Sequence, residues 1–159
     1  MDFDVVRRDE VIIAGAVLRS PALLLEEGNR AKVLSAWEHN LSRVLPGTPA
    51  TAYVDYEPDL NSYHTHIVGY RCRDLSQVEF GDVAALVPGG RFARFECSDD
   101  NIAVAIETVW RMAWDAEAEG AIVRSYSGDF ERYPDTRTVA VYVALRDESG
   151  DDEAGDRES

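Results

Sequence analysis

The sequence predicts an α+β fold: a β-α-β-β repeat written twice, forming an antiparallel sheet flanked by two helices, with a ligand cleft between the halves. Three observations carry that expectation. Val- and Ile-rich runs occupy residues 5–19 and 83–97, an amphipathic helical pattern follows each, and two short strand-like segments separated by turn formers follow each helix.

Residues 5–19 (VVRRDEVIIAGAVLR) are rich in β-branched side chains, lack helix caps and end at Ser20-Pro21, so they read as one strand. After Gly28-Asn29, the apolar residues Val33, Leu34, Trp37, Leu41, Val44 and Leu45 recur every three or four positions until Pro46-Gly47 stops them, which predicts the first helix. Ala50–Glu57 and Tyr63–Arg73 flank the turn cluster at 58–62 and read as a hairpin. Val83–Cys97 reads as the next strand, with Pro88-Gly89-Gly90 making a bend or bulge inside it. Asp99-Asp100 then cap a helix whose stripe is Ile102, Ile106, Val109, Trp110, Ala113 and Trp114, and Gly120 closes it. Ala121–Tyr133 and Thr138–Arg146, joined through Pro134-Asp135-Thr136, form the second hairpin. Trp37 precedes Glu57 by 20 residues and Trp110 precedes Glu131 by 21, so counting from the tryptophans sets Tyr56-Glu57 on Phe130-Glu131. Two such halves would be related by a pseudo-twofold axis.

A chain of 159 residues with 45% hydrophobic composition suits one domain, here residues 1–146, with repeat one at about 5–75 and repeat two at about 82–146. Residues 147–159 hold seven acids and one arginine and too little apolar surface to order, so they read as a disordered acidic tail that aids solubility. The formal net charge is −14, of which −8 remains on residues 1–146. A field of that sign repels nucleic acid and anionic lipid and attracts cations. Neither a membrane span nor the layout of a signal peptide is present, and Cys72 and Cys97 lack disulfide-framework or zinc spacing, so a cytoplasmic protein with reduced thiols is expected.

Strand alternation puts Asp129, Glu131 and Tyr133 on one face of their segment, and Tyr53, Asp55 and Glu57 on one face of theirs. A carboxylate framed by aromatic rings suits an amphiphilic organic cation, because the rings supply apolar area and cation–π attraction while the acid offsets charge. Glu131 is the first choice for that acid; the alternatives are a solvated edge residue or a partner of Arg124 or Arg132. His64 and His66 alternate on one face without a third ligand, so no metal is expected, and neither a catalytic-triad elbow nor a phosphate-binding loop is found.

Leu86–Phe95 (LVPGGRFARF), Val109–Trp114 (VWRMAW) and Gly128–Tyr133 (GDFERY) before a Val/Tyr-rich strand, set in the duplicated layout, resemble the gyrase-inhibitor-like (GyrI-like) effector-binding domains. The resemblance covers about residues 5–146 and is looser in the first half, where Ala52–Tyr56 and Ile67–Tyr70 carry it. It implies a stand-alone domain that takes bulky aromatic or cationic molecules into a cleft, as in multidrug binding or sequestration, with no cofactor. Glu131 would be the anchor, and Trp37, Tyr53, Trp110 and Tyr133 the lining. Some stand-alone relatives are hydrolases that open the cyclopropane ring of DNA-alkylating natural products. By that likeness Glu131 with Tyr53 would be catalytic, although the tyrosine that reaches the water stays open among Tyr53, Tyr56, Tyr63, Tyr126 and Tyr133. A third implication is an acidic protein that contacts DNA gyrase or another macromolecule.

Overall fold

Arg7-Arg8-Asp9-Glu10 sets four consecutive charges inside the first apolar run, and the chain divides there. The computed structural model describes residues 3–21, 35, 38–39, 42–54, 63–147 and 156–157. In it the run expected as one strand is two, β1 (Asp4–Arg8) and β2 (Val11–Pro21). The run at 83–97 likewise divides into β5 (Val83–Val87) and β6 (Gly90–Ser98). Pro88 has no N–H for a ladder, and Gly89 has no space for a side chain: a Cβ there would lie 2.9 Å from the Glu10 nitrogen and 3.0 Å from the Arg8 oxygen. The bend expected at Pro88-Gly89-Gly90 is therefore a break between strands.

These two breaks separate two compact units, one formed by residues 11–87 and the other by residues 1–10 with 88–159. In the first, β2, β3 (Pro49–Val54), β4 (Tyr63–Cys72) and β5 run in the antiparallel order β5-β2-β4-β3. A 3-10 turn, Leu75–Gln77, follows β4 and is capped by Asp74, whose Oδ1 accepts from the Ser76 nitrogen at 2.8 Å. The other unit has the same order, β1-β6-β8-β7, with β7 at Asp129–Asp135 and β8 at Thr138–Ala144. Each unit is thus completed by the strand that the sequence places ahead of the other repeat. The fold is α+β, and its repeated strand order agrees with the duplication read from the sequence.

In the first unit, Ser35, Glu38 and His39 have helical backbone, while most of the first expected helix lies outside the described residues. Its expected end is corrected: the Ser42 hydroxyl bonds back to the His39 oxygen at 2.6 Å, residues 42–47 are turn and coil, and Val44 is 91% exposed. Beyond it, β2 and β4 approach closely at a glycine pair. A Cβ on Gly69 would fall 1.9 Å from the Ala14 oxygen, and one on Gly15 would fall 2.2 Å from the Val68 oxygen.

The helix of the other unit, α1 (Ile102–Ala118), buries Ala105, Val109, Trp110, Ala113 and Ala116 and packs on β6 and β8. Asn101, not Asp99-Asp100, is its cap: the Asn101 side chain accepts from the Ala103 nitrogen at 3.0 Å, while Asp99 accepts from the Asn101 nitrogen at 2.8 Å. Gly120, at φ +78°, ends it as expected. Residues 121–128 are not a strand, because Tyr126 at φ +57° breaks the extended run and only an isolated bridge joins Arg124 to Leu145. The tight turn between β7 and β8 is Thr136-Arg137, and Asp135 accepts the Arg137 nitrogen at 2.8 Å. Of the acidic tail, Asp156–Arg157 forms a short β9 parallel to β1, and residues 148–155 and 158–159 lie outside the described residues. Among the described residues no helix is long and apolar enough to cross a membrane, which says nothing of barrels.

Candidate functional site

β7 is held from both faces, and that clamp sets the position of Glu131. On one face Phe130 stacks on Tyr142 with ring centroids 4.5 Å apart and planes within 3°, and it meets Phe92 edge-on at 5.6 Å. The Arg8 guanidinium lies over the Phe130 and Tyr142 rings at 5.3 and 4.9 Å. Arg94 and Arg132 both donate to the Tyr142 hydroxyl, at 3.1 and 3.2 Å. At the start of the strand, fully buried Asp129 accepts from Arg124 at 2.6 Å through Oδ2 and from the Ala144 nitrogen at 2.8 Å through Oδ1. Arg124 also lies 4.2 Å from the Tyr126 ring centre and 3.6 Å from Glu117, and the Tyr126 hydroxyl donates to Glu117 at 2.5 Å. Burial and that bond to a carboxylate push the Tyr126 hydroxyl up to about 12. The irregular loop 121–128 is thereby tied to both the end of α1 and the sheet.

On the opposite face, alternation turns Glu131 toward α1, where it is 1% exposed. Trp110 Nε1 donates to Glu131 Oε2 and the Tyr133 hydroxyl donates to Glu131 Oε1, each at 2.5 Å. Trp114, one turn on, packs against Trp110 with centroids 6.2 Å apart. Both donors are neutral groups, and between them they orient the carboxylate. Tyr133 is only partly buried, and the pair therefore runs from the interior toward solvent. Arg124 and Arg132, considered from the sequence as partners for Glu131, bond to Asp129 and Tyr142 respectively.

The site thus brings together three of the expected residues, Glu131, Trp110 and Tyr133. Trp110, expected as lining, is 3% exposed and acts as a hydrogen-bond donor to the acid. Tyr53 belongs to the other unit, where it is buried on β3 with its ring edge-on to His66 at 4.5 Å. Trp37, Asp55, Tyr56 and Glu57 lie outside the described residues, as do the side chains of Tyr63 and His64. The strand ladders also correct the alignment of the halves. Arg94, fifth in β6, pairs with Tyr142, whose neighbour Val141 pairs with Glu131. Gly15, fifth in β2, pairs with Gly69, whose neighbour Val68 pairs with Thr51. Thr51 is therefore the counterpart of Glu131 and Tyr53 that of Tyr133, and the counterpart position holds no charge. Counting from the tryptophans misplaced the register because Thr51 follows Trp37 by 14 residues, whereas Glu131 follows Trp110 by 21. The Asp129–Arg124 pair was not foreseen; its only sequence signal is an acid two residues before Glu131 on the same face.

Comparison with known proteins supplies the setting. No curated protein matches the sequence. Among solved structures, the integron cassette protein from the mobile metagenome of Vibrio cholerae superposes with a TM-score of 0.78 at 22% identity, over 92% of this chain and 97% of that one. The protein SAV2435, solved bound to tetraphenylphosphonium, has a TM-score of 0.70 at 8% identity over 92% and 94% of the two chains. A putative bacterial transcription regulation protein from Staphylococcus aureus MU50 has a TM-score of 0.61 at 12% identity, over 92% and 99%. At these identities the structures speak to the fold alone. The family model for Cass2, the integron-associated effector binding protein, matches residues 5–146, a span that takes in Trp110, Glu131, Tyr133 and the strands and helix that position them. The chain belongs to the integron-associated effector binding protein family.

Proposed function

We propose that this protein binds small hydrophobic, cationic aromatic molecules, with Glu131 as the group that meets their charge. The observation that carries the reading is the buried carboxylate held by two neutral aromatic donors, Trp110 and Tyr133. Ionised acids are costly to bury, and one that is oriented by neutral partners supplies a fixed negative pole in surroundings of low dielectric. Membership of an effector-binding family supports the reading, as does a structure of the same fold solved with tetraphenylphosphonium. The net charge of −14 adds a long-range attraction for cations and opposes nucleic acid. Holding such a compound without changing it would make the protein a sequestering or sensing module.

The bond from the Tyr133 hydroxyl to Glu131 also favours a second reading, a hydrolase in which these two residues direct a water onto a strained ring. With Oε1 and Oε2 each already receiving a donor, Glu131 has less lone-pair density to offer a water proton, which favours the binding role. One experiment separates the two. Titration of the full chain with tetraphenylphosphonium, with neutral tetraphenylmethane and with a cyclopropane-bearing alkylator, followed by product analysis, should show saturable binding of the cation, much weaker binding of the neutral isostere and no product. Equal affinity for cation and isostere would sink the binding reading, and turnover of the alkylator would make the protein a hydrolase.

A further inference from the structure

We propose that the cluster around Arg124 is a latch that holds α1 down over Glu131 and so sets how readily a cation reaches that acid; the inference rests on the binding role given to Glu131 above. At 1% exposed, Glu131 cannot touch a ligand in this conformation. Its cover is α1: Trp110, 3% exposed, donates to Oε2 from the interior side, and Trp114 packs against Trp110. Pockets for bulky organic molecules are roughly 300 Å³ or more, which is more room than a swing of the Tyr133 side chain alone would free. The helix itself has to give way.

α1 is fastened unevenly. Of its five buried residues three are alanines, Ala105, Ala113 and Ala116, so its apolar grip on the sheet is light. Its N-terminal end is tied at the surface, by the Asp99 nitrogen donating to the Arg137 oxygen at 2.9 Å and by an exposed ion pair between Arg137 and Asp100. Its other end carries Glu117, seven residues past Trp110 and three past Trp114 and therefore on the same stripe. Glu117 accepts from the Tyr126 hydroxyl at 2.5 Å and lies 3.6 Å from Arg124, which is 6% exposed at its side chain and bonds to fully buried Asp129 at 2.6 Å. Asp129 shares a face of β7 with Glu131. α1 and β7 are thus joined twice, once at the acid through Trp110 and once through Arg124 further along the helix. Lifting the helix breaks both joins, and weakening the second raises the population of the open state, to which a ligand's apparent affinity is proportional.

Two mild variants test the latch. Tyr126→Phe removes the hydroxyl and keeps the ring beside Arg124, and Glu117→Gln keeps the size and removes the charge. Calorimetric titration of the full chain with tetraphenylphosphonium should show Kd falling by about fivefold in either variant, with faster association in stopped-flow mixing, even as the unfolding midpoint drops slightly. Residues that only stabilised the fold would not tighten binding when altered. Solvent exchange of the Trp110 indole N–H, followed by NMR in the ligand-free chain, reads the latch without any ligand. It should quicken by about fivefold relative to the backbone amides of Val141 and Val143, which lie fully buried in β8 and report global opening. Unchanged relative exchange, or a Kd that stays the same or rises, overturns the latch. Quickened relative exchange in the variants of a chain that shows no saturable binding of the cation supports the latch and sinks the binding reading instead.

Discussion

Glu131→Gln separates the charge of the proposed anchor from its shape. Glutamine keeps the volume and both contacts: its oxygen can accept from Trp110 Nε1, and its amide can donate to the Tyr133 oxygen once that hydroxyl turns. The fold should therefore survive with little change in melting temperature. Binding should not. With the centre of positive charge of a bulky aromatic cation about 6 Å from the carboxylate and an effective dielectric of about 20, the Coulomb term is about 2.8 kcal/mol, or roughly a hundredfold in Kd. Calorimetric titration with tetraphenylphosphonium measures this directly, with tetraphenylmethane as the uncharged control. A loss of less than about threefold for the cation, or an equal loss for the control, would show that Glu131 does not meet the ligand's charge. Glu131→Ala is the poorer test, because it strands the buried Trp110 N–H and opens a cavity, so a loss of binding would report damage as well as charge.

Other perturbations probe the scaffold. Asp129→Asn removes the nearer of the two carboxylates on Arg124, 6% exposed at its side chain, and should cost about 3 kcal/mol or more in urea unfolding; a loss under about 1 kcal/mol would mean that Glu117 alone holds the guanidinium. Tyr70, like Tyr126, is pushed from 10.0 up to about 12, first by burial and then by a carboxylate partner, here Asp82 at 2.6 Å. Both hold their protons more tightly folded than unfolded, so this stabilisation is whole below pH 10 and is lost as pH rises toward 12. Unfolding midpoints at about pH 9 and pH 11 should show that fall, and Tyr70→Phe should remove roughly half of it. Gly69→Ala drives a methyl to 1.9 Å from the Ala14 oxygen and should cost about 4 kcal/mol or more, seen as lost soluble yield. The same change at Gly81, where a Cβ meets nothing within 4 Å, should cost about 1 kcal/mol, from its φ of +91° alone.

Local chemistry was readable in the sequence wherever a pattern depends only on near neighbours. The stripe carrying Val109, Trp110 and Ala113 is set by helical spacing, and the face carrying Asp129, Glu131 and Tyr133 is set by strand alternation; both held. That Trp110 would point its N–H at Glu131 was not readable, because the contact joins two elements whose separation depends on how closely the helix sits on the sheet. The longest misreadings were the two runs treated as single strands. In each, a β-rich composition on both sides concealed a break that was written in plain residues, Arg-Arg-Asp-Glu in one and Pro-Gly-Gly in the other. The helix cap expected at Asp99-Asp100 falls on the next residue, Asn101, while Asp99 bonds one step further back along the same turn.

The exchange of edge strands spreads one unit's ladder across the whole of the other unit's sequence. The unit spanning residues 11–87 is continuous in the chain, so all of its strands have been made once Val87 emerges. β1 is translated before any of them, yet its ladder partner is β6, where Asp4 meets Arg94 and Arg8 meets Gly90. The entire other unit is synthesised between β1 and this partner. Nascent strands in that position are prone to the wrong partner, and the three charges on Asp4, Arg7 and Arg8 keep this one in water until β6 arrives. A chain cut short after Val87 would carry β1 without β6, the strand it pairs with here.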